Sequence, residues 1–83
     1  MISLENFNIL VSGILRSNKL SKKLSKKYGI DLYPVVKDLD MALSAAIDEI
    51  IPKDKSDYFY DIVYSGYLKE DNIEDLYHDI FEI

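Results

Sequence analysis

The stretch SDYFYDIVYSG, residues 56–66, decides the fold class. Tyr58, Tyr60, Ile62 and Tyr64 alternate as in a half-buried strand, and aromatic and β-branched residues favour strands. Phe59, Ile62 and Val63, with Leu68 further on, recur instead at helical spacing. Ser56 or Asp57 stands where a helix cap would, and Ser65-Gly66 stands where the helix would close. The rest of the chain arbitrates. No other stretch reads as a strand, and a lone strand has no partner for its backbone amides and carbonyls. We therefore assign helix to residues 57–65.

Working outward, residues 32–51 form the clearest helix. Leu32, Val35, Val36, Leu39, Ala42, Leu43, Ala46, Ile47, Ile50 and Ile51 keep one continuous apolar face. Asp31 is placed to cap it, Pro34 falls in its first turn where a missing amide does no harm, and Pro52 ends it. On the other side, Asp71 with Glu74 matches a capping box ahead of a helix whose face is Ile73, Leu76, Tyr77, Ile80 and Phe81. At the N-terminus, Ser3 caps a helix over residues 4–15 with Leu4, Phe7, Leu10, Val11, Ile14 and Leu15 on one face. Gly13 there suggests a close helix crossing. Ser17 and Asn18 break the phase. A second, shorter helix follows with Leu20, Leu24 and Tyr28 in a thin stripe among serines and lysines, ended by Gly29. The expectation is an all-α, single-domain bundle of four to five helices spanning residues 1–83.

Composition bounds the function. The chain has 83 residues, 48% hydrophobic and 30% charged, an ordinary globular balance. It has no cysteine, which excludes disulfides, thiolate nucleophiles and zinc–thiolate sites. The single histidine, His78, sits among Glu74, Asp75, Asp79 and Glu82 with no serine near it in sequence. A nucleophile needs a base in reach and the base needs an orienting group, so the chain reads as a non-enzyme. No Gly-rich phosphate loop exists among its three isolated glycines. Glu74, His78 and Glu82 at four-residue spacing make a thin metal signal, because three or four converging ligands are normally required. Neither a metal nor a cofactor is expected.

The net charge of −5 hides an asymmetry. Residues 1–30 carry Arg16, Lys19, Lys22, Lys23, Lys26 and Lys27 against Glu5, a net of +5; residues 31–83 carry four lysines against fourteen carboxylates, a net of −10. The basic patch Lys19, Lys22, Lys23, Lys26 and Lys27 could bind phosphate backbones, since that interaction needs only clustered charge. A helix-turn-helix reading fails, because residues 32–51 offer Asp38, Asp40, Asp48 and Glu49 where base-reading Arg, Asn or Gln would stand. Direct nucleic-acid binding is therefore the weaker alternative. The longest nearly apolar stretch, Ile9 to Leu15, is too short to cross a bilayer, and no basic residue precedes it as in a targeting segment. A soluble, cytoplasmic protein without membrane contact is expected.

The C-terminal third carries the strongest functional signal. Five of the seven tyrosines fall between Tyr58 and Tyr77, and nine carboxylates lie between Asp54 and Glu82. Tyr60, Tyr64 and Tyr67 fall off the Phe59–Ile62–Val63 stripe. Tyrosine gives interfaces a large rigid area with a polar tip, and carboxylates steer a basic partner. Tyr60, Tyr64, Tyr67, Glu70, Asp71, Asp75 and Asp79 are the candidate contacts for a protein partner, a basic or nucleic-acid-handling one that the chain would regulate or inhibit. The alternative is a self-associating assembly module, a homo-oligomer with the basic helix of residues 19–28 against the acidic half of another copy. In size, acidity and tyrosine content the chain resembles two physical types: the small helical immunity proteins that neutralise nuclease toxins, and phage-encoded inhibitors of nucleic-acid enzymes. Ser56-Asp57-Tyr58-Phe59-Tyr60 matches the Tyr-Tyr segment of the immunity proteins only superficially and lacks the proline that follows it there. The likeness is one of type, not of membership.

Overall fold

Residues 56–63 are helical, and no strand occurs among the described residues. The computed structural model describes residues 1–29 and 33–83, with the side chains of residues 33–40 left aside. Four α-helices follow one another: α1 (Leu4–Tyr28), α2 (Tyr33–Ile50), α3 (Ser56–Val63) and α4 (Ile73–Phe81). Single 3₁₀ turns, Lys53–Lys55 and Glu70–Asn72, lead into α3 and α4.

The N-terminal helix corrects the expected break at Ser17 and Asn18. α1 runs unbroken through both, 25 residues from Leu4 to Tyr28. Ser and Asn are only moderate helix formers, but each still donates its amide, so neither interrupts the ladder as proline would. What changes at this point is the side of the helix that is apolar. Leu20 follows Val11 by nine residues, about 180° round the axis at 3.6 residues per turn. Val11 is buried and Leu20 is 55% exposed. The ends of α1 are as expected. Ser3 Oγ accepts the Asn6 amide at 3.2 Å. Gly29 closes the helix at φ +65°, its amide on the Ser25 carbonyl at 3.0 Å. Gly13 marks no close crossing by the described residues: none of them lies within 4 Å of where its Cβ would stand.

α2 ends at Ile50, with Ile51 and Pro52 leading out; its first turn contains Pro34, and the expected cap Asp31 lies outside the described residues. α3 is shorter than the sequence suggests. It starts at Ser56 without a side-chain cap and ends at Val63, leaving Leu68 in the connection to α4. Ser65 shapes the exit: its Oγ donates to the Ile62 carbonyl at 2.7 Å and accepts the Tyr67 amide at 3.1 Å. Gly66 then turns the chain at φ +84°, where a side chain would be strained. The capping box of Asp71 with Glu74 does not form. Asn72 occupies the cap position at φ −101°, ψ 3°, outside the extended region a capping side chain needs, because the preceding 3₁₀ turn already binds its amide to the Lys69 carbonyl at 2.9 Å.

The core is one cluster. Phe7, Val11 and Ile14 of α1, Ile47 and Ile51 at the end of α2, Phe59 and Val63 of α3, and Ile73, Leu76, Tyr77 and Ile80 of α4 are buried together. Phe7 is its hub. Its ring meets Phe59 at 6.1 Å, Tyr77 at 5.2 Å and Phe81 at 6.0 Å, each edge-on. Such pairs add about 0.5–1.5 kcal/mol each beyond the area they bury. These contacts set the directions. The start of α1 meets the end of α4 through Phe7–Phe81 and through Tyr77 Oη, which donates to the Ile2 carbonyl at 2.7 Å. The middle of α1 meets the start of α4 through Arg16 and Glu70. α1 and α4 are therefore antiparallel, and only the first half of α1 is covered by α4.

Candidate protein-interaction surface

The fold gives the seven candidate contacts four different settings. Tyr60 is half-buried against the body of the protein. Its ring lies edge-on to Phe59 at 5.8 Å and stacks on Tyr64 at 6.2 Å, and its Oη donates to Asp48 Oδ1 at 3.4 Å across to α2. Its aromatic face is thus largely spent on packing. Tyr64 is 41% exposed, and Tyr67, in the connection after Gly66, is 88% exposed. Tyr67 is held by its backbone, through the amide that Ser65 Oγ accepts, while its ring stands in solvent.

Glu70 faces α1. Arg16 Nε donates to Oε1 at 2.8 Å and Nη2 to Oε2 at 3.4 Å, a two-point contact that suits a planar guanidinium. The hydrogen bond from Arg16 and its charge, with a smaller contribution from Lys19, hold the Glu70 carboxyl below its usual range. The same contact raises the Arg16 pKa. Asp71, Asp75 and Asp79 are exposed, and none of them joins an ion pair among the described residues. Asp75 and Asp79 stand one turn apart on α4, on the same side.

One contributor was missed by the sequence reading. Tyr58, 42% exposed, donates from Oη to Asp79 Oδ2 at 3.3 Å. The antiparallel course of α3 and α4 brings the start of one beside the end of the other. The only trace in the sequence is the polar side of Tyr58 on a helix whose core residue is Phe59. A second ring therefore borders the acidic face of α4, at the end away from Tyr67.

The remaining charged groups fall elsewhere. His78 Nε2 lies 3.7 Å from Glu74 Oε1, while Glu82 turns to Lys55 Nζ at 3.4 Å, so Glu74, His78 and Glu82 do not converge. No group of three metal-ligating side chains gathers among the described residues. Between the middle of α1 and residues 63–70 lies an open cleft of about 880 Å³. Leu15, Val63, Tyr64 and Leu68 form its apolar part, with Arg16, Lys19, Lys22, Lys69 and Glu70 around it. Of the basic patch, Lys19 and Lys22 border this cleft; Lys23, Lys26 and Lys27 lie further along α1, with Lys27 Nζ 5.3 Å from the centre of the Tyr28 ring. No described helix is long and apolar enough to cross a membrane.

The chain matches no protein-family model, no curated protein and no solved structure. What the arrangement can do rests on its own geometry: a small all-α protein that presents exposed tyrosine rings and, among the described residues, exposed carboxylates outside any ion pair.

Proposed function

We propose that the chain is a non-enzymatic protein-binding module that regulates or inhibits a basic, nucleic-acid-handling partner. The observation that carries this reading is the Tyr67 ring, 88% exposed and fixed by its backbone in the connection that leads to α4, followed by Asp71 in the turn ahead of α4 and Asp75 and Asp79 on it, all three exposed and outside any ion pair among the described residues. A ring so exposed loses little by being covered and offers a large area to a partner. Exposed carboxylates on α4 and in the turn ahead of it attract a basic surface from a distance and speed its approach. Tyr64 and Tyr67 anchor; Asp71, Asp75 and Asp79 steer, with Tyr58 at the far edge. Glu70 and Tyr60 act behind them, Glu70 by tying the connection to α1 and Tyr60 by backing the Tyr64 ring. Such a partner places the protein in the cytoplasm.

The non-enzymatic part of the reading is supported by the setting of His78. It is exposed, its nearest charged neighbour is Glu74, and no serine hydroxyl is bonded to it among the described residues. The experiment that tests the reading is capture of partners by the wild-type protein and by a Tyr64→Ala/Tyr67→Ala variant side by side. The variant is expected to lose the basic partner while keeping its helical fold.

A further inference from the structure

The unbroken course of α1 gives the lysine-rich segment a position that its sequence does not reveal. Arg16 is level with Glu70, at the start of α4, and α4 runs from there back toward the N-terminus of α1. At 1.5 Å per residue, Lys22 to Lys27 stand roughly 9 to 17 Å beyond that level, on the side away from Asp75 and Asp79. Residues 17–28 contain five lysines and no carboxylate; residues 70–82 contain six carboxylates and no lysine or arginine. The helix direction keeps these two surfaces of one molecule apart. The projecting segment is also not purely polar. Leu20, on the side of α1 turned away from Val11, is 55% exposed, and Tyr28 at the end of the helix is 59% exposed.

We propose that this arm of α1, from Lys19 to Tyr28, docks on the acidic face of α4 of a second copy of the chain. The charges are complementary, the arm adds the exposed side chains Leu20 and Tyr28, the acidic face adds the exposed Tyr58 ring that bonds Asp79, and each copy carries both halves of the contact. Because the two surfaces differ and lie at opposite ends, the contact is heterologous: copies join head to tail, closing into a ring or continuing as a filament. Nucleic acid is the poorer occupant. The sole arginine is engaged by Glu70, and the rest of the molecule repels phosphate. The acidic face is shared with the proposed partner surface but the arm is not, so the arm variant alone tests self-association, and the two proposals are told apart by mass on one side and partner capture on the other.

The test is mass measurement by light scattering or sedimentation, with two charge-reversal variants, Lys23→Glu/Lys27→Glu on the arm and Asp75→Lys/Asp79→Lys on α4. In about 20 mM salt the wild-type mass is expected to at least double with rising concentration, and to fall to the 9.6 kDa monomer in about 500 mM salt, where surface attractions are screened. Each variant alone is expected to stay monomeric. Mixed in equal amounts, they are expected to form a 1:1 dimer, since the intact arm of one meets the intact acidic face of the other. Wild-type protein that remains monomeric at low salt overturns the proposal, whether or not it then retards DNA. So does a mixture of helical, folded variants that forms no dimer. Should a variant fail to fold, the salt dependence of the wild-type mass decides alone.

Discussion

Arg16 Nε donates to Glu70 Oε1 at 2.8 Å across 54 residues of sequence, and this pair marks where the basic end of α1 leaves the acidic helix α4. On one side of it, α1 is covered by Phe81 and Tyr77 of α4. On the other, its lysines run on past the start of α4. Both groups are exposed, so the contact acts more on geometry and on titration than on overall stability.

Glu70 is expected to titrate below the ordinary glutamate range, and to return to it in Arg16→Ala. Its folded pKa is lowered, so its stabilising effect is present above the unfolded pKa and is lost as pH falls through the folded one. A carboxyl-carbon NMR titration of both proteins checks this. An unchanged Glu70 midpoint in Arg16→Ala would show that the pair is not formed in solution.

Gly13→Ala is expected to stabilise the protein. The position is inside α1 and the added methyl meets nothing within 4 Å among the described residues, so helix propensity is what changes. That is worth about 0.5–1 kcal/mol. For a domain of this size the melting temperature should rise by about 2–8 °C. A fall would mean that α1 is crossed closely at Gly13 after all.

Tyr77→Phe removes the hydroxyl that donates to the Ile2 carbonyl and leaves the buried ring in place. A loss of about 0.5–1.5 kcal/mol in denaturant unfolding is expected. Tyr67→Phe, by contrast, should leave stability unchanged, because the exposed side chain makes no hydrogen bond among the described residues.

Phe7→Ala is expected to be far more damaging, because it empties the hub that Phe59, Tyr77 and Phe81 share. Core truncations of this kind cost about 3–5 kcal/mol, much of the total stability of a small domain. Loss of cooperative thermal unfolding is the expected result, with Phe7→Leu as the milder variant that still melts.

The helical class was legible because hydrophobic periodicity is a backbone-scale signal, and Phe7, Val11, Phe59, Leu76 and Ile80 all stand where it puts them. The unity of α1 was not. A shift of the apolar stripe at Ser17 and Asn18 looks the same in sequence whether the helix stops or simply changes its apolar side. The missing capping box at Asp71 has a similar cause: a 3₁₀ turn satisfies the amides by backbone bonds that no side-chain pattern announces. At the surface, Tyr67 was identifiable as lying off the apolar stripe, while Tyr60 lies off it too and is nonetheless half-buried, because α2 supplies Asp48 for its hydroxyl. Tyr58 was missed because its partner Asp79 depends on how α3 and α4 pair, which is tertiary information.

The most direct test of the binding-module account is retention of partner proteins by immobilised wild type and Tyr64→Ala/Tyr67→Ala, with circular dichroism confirming that both are helical. The account predicts a basic protein retained by the wild type and weakened by about 30-fold or more in the variant, the effect of losing an aromatic anchor worth about 2 kcal/mol. Equal retention of the same proteins by both would contradict it.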